Sequence, residues 1–376
     1  MEGLGCIKMS GDNSVFGSIY NGKKVLVTGN TGFKGSWLSI WLLRLGADVY
    51  GISKDIPTTP SHFESVSLKE KIKHFELDIR SLNDVKKIIG EIKPDFVFHL
   101  AAQAIVRESF NDPVKTIETN TIGTMNILES LRQSNHKCCA VMITSDKCYD
   151  NVEWVWGYRE TDALGGKDPY SASKGAAELV IKTYANSFFN KPESNVKIAS
   201  TRAGNVIGGG DWAQDRIVPD CIRAWSSNKP VQIRSPNATR PWQHVLEPLS
   251  GYLLLGQKLY ENPKLNGEPF NFGPQETQVY TVGELIAEMQ KNWPGKMEVV
   301  RNNESEKEAT LLKLSCDKAL NVLGWKATLS FPETIKFTVD WYRKFYSGEK
   351  DVLSMSIGQI DDYVKLAKTR GQVWVK

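Results

Sequence analysis

No stretch of the 376-residue sequence reaches the roughly 18 apolar residues that a helix needs to cross a bilayer, so we expect no membrane span. The first 22 residues lack the apolar core of a secretory signal, and we expect them to form a flexible leader. The net charge is only +4, because 47 Lys and Arg face 43 Asp and Glu. That balance is too weak to indicate nucleic acid as a partner, but it is compatible with a small anionic substrate.

Cysteine is scarce and follows no pattern. The six cysteines form no C-x-x-C pair and have no zinc-site spacing, so we expect no metal. Cys138 and Cys139 are adjacent within a predicted strand, which is a poor arrangement for an intrachain disulfide. We therefore expect reduced thiols in a cytoplasmic protein. A chain of this length can bury a large core without disulfides or structural metal.

What the sequence does contain is a regular alternation of strands and helices between Lys23 and Gly204. Helical patterns separate six short apolar segments, and the segment around residues 95–102 is almost continuously apolar. This rhythm predicts an α/β fold with a doubly wound parallel sheet, the Rossmann fold. The predicted strands are residues 23–29, 47–53, 73–79, 95–102, 138–145 and 196–204.

A glycine loop follows the first predicted strand and opens the first helix. It reads Thr-Gly-Asn-Thr-Gly-Phe-Lys-Gly, with the spacing G-x-x-G-x-x-G. Glycines let a backbone turn tightly and approach a pyrophosphate, which then sits at the helix N-terminus. The motif alone is weak, but its place in the first strand–helix unit predicts dinucleotide binding. The expected cofactor contacts are Gly29, Thr31, Gly32, Phe33, Lys34 and Gly35.

Recognition of the adenosine half is less clearly indicated. Ser53 and Asp55, at the end of the second strand, are expected among the cofactor contacts. Asp55 could accept ribose hydroxyls, whereas Lys54 would favour a 2′-phosphate. Both residues are also compatible with ordinary solvated loop charges. Asp78 and Ile79, after the third strand, are expected beside the adenine, although Asp78 could equally cap a helix.

The chain beyond Gly204 loses this rhythm and predicts a second, smaller part. Residues 205–242 are rich in Gly, Pro, Trp and Arg, and residues 269–273 read as a strand that returns to the sheet. We predict a cofactor domain of residues 23–204 plus about 243–273. Residues 205–242 and 274–347 are predicted to form a smaller interleaved α/β substrate lobe, followed by a C-terminal tail at 348–376.

Tyr170 and Lys174 lie four residues apart on a predicted helix, which places both on one face. A nearby ammonium lowers the pKa of a phenol, and such a tyrosine can remove a proton from a sugar hydroxyl while hydride leaves the same carbon. The pair by itself is common by chance. Its position after the fifth strand, in a chain with the glycine loop, favours a catalytic function.

The sequence over about residues 23–345 resembles the extended short-chain dehydrogenase/reductases. Within that family it is most similar to the nucleotide-sugar 4,6-dehydratases. The resemblance rests on the glycine loop, the Tyr170/Lys174 pair and four longer segments. These segments are 32–37 (GFKGSW), 144–151 (TSDKCYDN), 154–160 (WVWGYRE) and 240–245 (RPWQHV).

The resemblance implies a hydro-lyase with bound NAD and CDP-glucose as its substrate. Sugar C4 is oxidised transiently, water is eliminated across C5 and C6, and hydride returns to C6, giving a CDP-4-keto-6-deoxyhexose for deoxysugar biosynthesis. It also implies further cofactor contacts, expected from Leu100, Ala101, Ala102, Gln103, Thr119, Tyr170 and Lys174.

The same resemblance assigns the catalytic groups. Tyr170, assisted by Lys174, is the base at O4, and Asp146 is the acid that protonates the C6 hydroxyl. Lys147 stands where related TDP-glucose dehydratases carry a glutamate that acts at C5. It is either the C5 base or a charged group that stabilises the enolate. Thr144 is expected to hydrogen-bond the substrate or the nicotinamide ribose.

Substrate binding is expected from polar residues and from arginines, whose forked guanidinium groups suit a diphosphate. The expected contacts are Gln103, Ser145, Asn205, Arg216, Arg234, Arg240 and Arg301. The resemblance also implies a homodimer, or a homotetramer, built on helices 114–134 and 170–188. Two alternatives stay open: a nucleotide-sugar epimerase or reductase of the same fold, and a dinucleotide-sensing protein without catalysis.

Overall fold

The computed structural model describes residues 14–275, 279–300 and 311–376. Seven strands form one sheet in which each neighbouring pair is parallel. The strands of the described chain are β1 Lys24–Thr28, β2 Asp48–Ser53, β3 Lys73–Glu76, β4 Phe96–His99, β5 Cys138–Ile143, β6 Val196–Arg202, β7 Val206–Ile207, β8 Val231–Ile233, β9 Thr239–Arg240, β10 Gln243–His244, β11 Pro269–Asn271, β12 Tyr280–Thr281 and β13 Met297–Val299. The order across the sheet is β3-β2-β1-β4-β5-β6-β11.

Helices cover both faces of this sheet. They are α1 Phe33–Arg44, α2 His62–Ser65, α3 Leu82–Ile92, α4 Val106–Asn111, α5 Pro113–Ile117, α6 Gly123–Ser134, α7 Pro169–Tyr184, α8 Ile217–Ser226, α9 Leu246–Glu261, α10 Val282–Asn292, α11 Phe331–Tyr346 and α12 Val352–Thr369. All residues of β4 and β5 are buried, which explains their apolar sequences. The predicted doubly wound fold is confirmed.

The helix predicted over residues 114–134 is present but interrupted. After α5, the backbone forms one widened turn over Glu118–Ile122 before α6 begins. Such widened turns are frequent at functional sites because they redirect side chains. Asn120 lies in this turn and is buried.

Three short strand pairs join distant parts of the second half of the chain. β8 is parallel to β13, β9 is antiparallel to β12, and β7 is parallel to β10. The first two pairs connect residues 205–242 with residues 280–300, the two segments predicted to share the smaller lobe. The lobe boundaries themselves stay a prediction.

Both ends of the described chain pack into the core, although the sequence suggested a leader and a tail. Phe16 is buried and stacks on Trp374, with ring centroids 4.9 Å apart. Trp374 in turn stacks on Tyr363 of α12, and Arg44 of α1 forms an ion pair with Asp361. Trp41 of α1 contacts all three of these rings, so aromatic packing and the ion pair together anchor residues 14–22 and α12 to α1. Residues 1–13 lie outside the described part of the chain.

Within the described ranges, no helix is long and apolar enough to span a bilayer. Five cysteines lie in these ranges; none of them forms a disulfide there, and four are buried. The sixth, Cys6, lies outside them.

Candidate active site

The glycine loop lies where the strand order reverses. β1 sits between β2 and β4, and ligands of doubly wound sheets bind at the carboxyl ends of such strands. Gly29 follows β1 with φ +75°, and a Cβ there would lie 2.8 Å from the backbone nitrogen of Ala101. Only glycine allows the loop after β1 to approach the loop after β4 this closely.

The start of α1 fits a pyrophosphate. Gly32 is the N-cap and has no side chain, so this position gives the first backbone N–H groups of the helix no side-chain acceptor. A Cβ at Gly35 would lie 2.1 Å from the Gly29 carbonyl oxygen, so the loop folds tightly against the first turn. Free N–H groups behind a tight glycine turn are the usual cradle for a dinucleotide phosphate.

Ser53 and Asp55 hold the glycine loop from β2. Thr31 N donates to Ser53 Oγ at 3.2 Å, and Thr31 Oγ1 donates to the Asp55 carbonyl at 2.7 Å. Ser53 is buried and also donates to Asn30 Oδ1. Ser53 therefore shapes the loop, while the side chain of Asp55 remains exposed at the end of β2.

Asp78 lies in a charged cluster after β3. Arg80 and Lys54 form ion pairs with it at 2.8 and 3.5 Å. Hydrogen bonds from Arg80 lower the pKa of Asp78 to about 2. Lys54 is thus paired with Asp78, and Ile79 is buried in the core against α6, where a Cβ on Gly123 would meet its side chain.

Gln103 organises the loop after β4. Its amide nitrogen donates to the Ile105 carbonyl and to Thr116 Oγ1, both at 3.0 Å, and its Oε1 accepts from Ile105 N. Asn120, which sequence reasoning missed, bonds the Gln103 backbone in both directions and donates to Ser173 of α7. The Gln103 amide is therefore engaged within the loop. Thr119, beside Asn120, is half-buried.

The segment after β5 carries the predicted catalytic groups. Ser145 Oγ donates to Asp146 Oδ1 at 2.9 Å and accepts from Lys147 N at 3.3 Å. Asp146 is buried, whereas Lys147 is half-buried. The hydroxyl of Thr144 bonds Glu178 Oε1 at 2.5 Å, behind the segment. Ser145 thus braces Asp146, while Thr144 is tied to the interior.

Tyr170 and Lys174 meet this segment from the first turns of α7. Asp168 caps the helix and Pro169 occupies its first position, so both residues are fixed near its N-terminus. Burial raises the pKa of Tyr170 to about 12, with Ser145 and Arg216 acting in the opposite direction. The expected lowering of the phenol pKa is therefore not a property of the protein alone, because desolvation of the phenolate dominates.

Two lysines lie close to each other near these groups. Burial lowers the pKa of Lys174 to about 8. Burial also lowers the pKa of Lys34 to about 8, and the charges of Arg216 and Lys174 act in the same direction while Asp146 opposes them. The glycine-loop lysine therefore belongs to the same electrostatic environment as the catalytic residues.

A buried polar network supports the catalytic segment, and sequence reasoning missed it. Glu178 of α7 accepts hydrogen bonds from Thr144, Ser200 and Arg202, and the Arg202 ion pair measures 2.9 Å. Arg202 also donates to Tyr149 OH at 2.7 Å. Glu178 follows Lys174 by one helical turn, so its spacing was the available signal.

A small cavity opens beside Asp146 toward the second half of the chain. Gln243, Gln275 and Lys313 contribute polar groups to its lining. None of these three was expected from the sequence. Gln243 belongs to the segment RPWQHV, which the sequence analysis singled out for Arg240 instead.

The predicted substrate residues reach the site to different degrees. Arg216 forms an ion pair with the buried Asp211 at 3.0 Å and influences Tyr170. Asn205 lies three residues after the end of β6 and adopts a positive φ of 51°. Its carbonyl oxygen accepts a hydrogen bond from Gln243 N. Arg240 is half-buried, Arg234 is exposed, and Arg301 lies outside the described residues.

A doubly wound sheet, a glycine loop at the strand reversal and a buried tyrosine–lysine pair after β5 together define a dehydrogenase-type enzyme site of the extended short-chain class. Residues 26–338 match the GDP-mannose 4,6 dehydratase family. The chain belongs to this family, and the resemblance identified from the sequence is confirmed.

Individual relatives agree with this placement. The chain is 47% identical to CDP-glucose 4,6-dehydratase of Salmonella typhimurium over 94% of this chain and 99% of that protein. It is 27% identical to CDP-paratose 2-epimerase of Salmonella typhi, over 85% of this chain and 98% of that protein. The structure of Thermus thermophilus UDP-glucose 4-epimerase in complex with NAD gives a TM-score of 0.71 at 26% identity, covering 85% of this chain and 99% of that chain.

Proposed function

We propose that this protein converts CDP-glucose into CDP-4-keto-6-deoxyglucose with tightly bound NAD+. The observation that carries the proposal is the placement of Asp146 and Lys147 in the turn that meets Tyr170. An epimerase needs a proton-transfer group at O4 only. An elimination across C5 and C6 needs a base and an acid in addition, and this turn supplies both residue types. Identity of 47% to a CDP-glucose 4,6-dehydratase supports the same choice.

Each proton transfer of this reaction is assigned to a different side chain. Tyr170 takes the proton of the C4 hydroxyl, with Lys174 one turn along the same helix. The glycine loop with Gly29, Gly32 and Gly35 would hold NAD+, which would supply the hydride acceptor for oxidation at C4 and the hydride donor for reduction at C6. Asp146 protonates the departing C6 hydroxyl from its buried position. Arg216 lies near Tyr170, where it favours the phenolate and can bind the substrate diphosphate.

Lys147 is the proposed base at C5. A lysine acts as a base only when neutral, and it then takes the C5 proton on its amine nitrogen. The alternative is a charged Lys147 that stabilises the enolate.

The overall reaction is tested by incubating purified protein with CDP-glucose and measuring the alkali-induced chromophore of a 4-keto sugar. With substrate deuterated at C4, we expect deuterium at C6 of the product. A product inverted at C4, without the chromophore, would instead identify an epimerase. No observation at the site favours that alternative or a reductase. The buried Tyr170/Lys174 pair speaks against a purely sensing protein.

Substituting Lys147→Met removes the base and the charge together. We expect C4 oxidation to continue and elimination to stop, so that NADH absorbance accumulates on the enzyme. Lys147→Arg is the matched control, because arginine keeps the charge but does not deprotonate. Elimination that survives in Lys147→Arg would show that Lys147 acts by charge and not as the base.

We further propose a homodimer formed through the helical segments 114–134 and 170–188, with a homotetramer as the alternative. Large apolar side chains are exposed along these segments and on the adjoining α4, among them Phe110, Val114, Ile122 and Leu179. Val114→Glu should dissociate the dimer in sedimentation experiments. Val155→Glu is the control, since Val114 and Val155 are both 66% exposed but only Val114 lies in one of these helical segments. Equal behaviour of the two variants would argue against the interface.

The cysteines of the described chain form no disulfide among themselves and are mostly buried, which supports activity in the cytoplasm.

A further inference from the structure

The carboxyl group of Asp146 lies against the backbone of Gly204. A Cβ added at Gly204 would be 1.9 Å from Asp146 Oδ2, 2.1 Å from Cγ and 2.4 Å from Oδ1. These separations are far below any allowed contact. Ser145 holds the Oδ1 atom through its hydrogen bond at 2.9 Å. The carboxyl group of Asp146 can therefore occupy this position only because residue 204 carries no side chain.

Gln243 fixes the glycine on which Asp146 rests. Its amide nitrogen donates to the Gly204 carbonyl at 3.1 Å and to the Phe272 carbonyl at 3.0 Å. Gln243 is 2% exposed, so these bonds are shielded from water. One buried side chain thus ties the end of β6, beside the acid, to the segment after β11.

The other end of the Gln243 amide is a buried acceptor without a donor. Because both amide hydrogens point at carbonyl oxygens, the identity of Oε1 is settled by its partners. Oε1 has no hydrogen-bond partner among the described residues. Gln243 and Asp146 line the same cavity. A neutral carboxylic acid is a hydrogen-bond donor, whereas an ionised carboxylate is not.

We propose that Gln243 is a positioning residue for the elimination step. It holds Gly204 beneath the Asp146 carboxyl group and offers Oε1 to the proton of the neutral acid. When the C6–O bond breaks, Asp146 transfers that proton to the departing oxygen, so one O–H bond forms as another breaks and water leaves. This inference rests on the proposed dehydratase function, because it concerns only the leaving group at C6.

The experiment compares two leaving groups in the variants Gln243→Leu and Gly204→Ala. CDP-glucose loses hydroxide and needs the acid, whereas its 6-deoxy-6-fluoro analogue loses fluoride without a proton. We expect kcat for CDP-glucose to fall about a hundredfold, the usual contribution of a general acid. Elimination of fluoride, the KM for CDP-glucose and NADH formation should remain within a few-fold of the unsubstituted protein.

Gln275→Leu is the matched control, since it removes another glutamine from the lining of the same cavity but leaves the hydrogen bonds from Gln243 to Gly204 and Phe272 in place. It should show no dependence on the leaving group. Equal losses for both substrates in Gln243→Leu and Gly204→Ala would overturn the positioning role. If Gln243→Leu does not fold, Gly204→Ala alone decides, because it displaces the same carboxyl group. An unsubstituted protein that forms no 4-keto sugar from either compound would instead refute the proposed function.

Discussion

Removing the charge of Glu178 should destabilise the fold strongly without removing any residue proposed to touch the substrate. Glu178 and Arg202 are both 3% exposed and form an ion pair at 2.9 Å. Thr144 and Ser200 donate to the same carboxylate. In Glu178→Gln the Arg202 cation stays buried with no anionic partner. Breaking a buried pair from one side costs about 3–5 kcal/mol. That is a large part of the about 5–15 kcal/mol that holds a typical domain together.

Urea unfolding at neutral pH, followed by tryptophan fluorescence and circular dichroism, measures this loss as a lower midpoint. Glu261→Gln is the control, because its ion pair with Lys258 is exposed and should contribute less than about 1 kcal/mol. A loss below about 1 kcal/mol in Glu178→Gln would refute the reasoning, since it would mean that the pair is hydrated rather than buried.

Two further predictions concern Lys174 and the glycine loop. Burial lowers the pKa of Lys174 from 10.5 to about 8, so between these pH values the unfolded chain binds more protons than the folded one. The free energy of unfolding should therefore rise with pH across this window, by about 3 kcal/mol. Urea unfolding of the unsubstituted protein and of Lys174→Met at several pH values checks this. An equal rise of the unfolding free energy in both proteins would contradict the prediction. Gly29→Ala should lower NAD+ affinity at least about tenfold, measured by titration, because its Cβ would strike the Ala101 backbone. Gly22→Ala, also at positive φ but with no neighbour within 4 Å, should leave that affinity unchanged, and similar losses in both variants would argue against the close approach.

The local parts of the fold were predictable because short-range patterns determine them. The apolar runs at β4 and β5 predict buried strands, and the structure places both at the centre of the sheet. The glycine loop predicts a tight turn, and Gly29 has the positive φ that such a turn requires. Tyr170 and Lys174 share the first turns of α7, as their spacing predicts.

Other features depend on residues that are far apart in the chain. Trp374 and Phe16 stack although more than three hundred positions separate them, which no local pattern reveals. The phenol of Tyr170 responds mainly to burial and not to Lys174, because the surrounding chain excludes water from it. Gln103 looked available for ligands, but its amide is engaged by Ile105 and Thr116.

The sequence by itself determined the sheet, the cofactor loop and the residue types of an acid, a base and a tyrosine–lysine pair. Only the tertiary structure decided how Asp146 is held, because the space for its carboxyl group is created by Gly204 and secured by Gln243. It also decided that Glu178 and Arg202 are buried together behind the catalytic segment. Spacing along one helix or strand specifies neighbours within that element. Contacts between elements arise only when the whole chain packs, and they set the burial and orientation that the proposed chemistry requires.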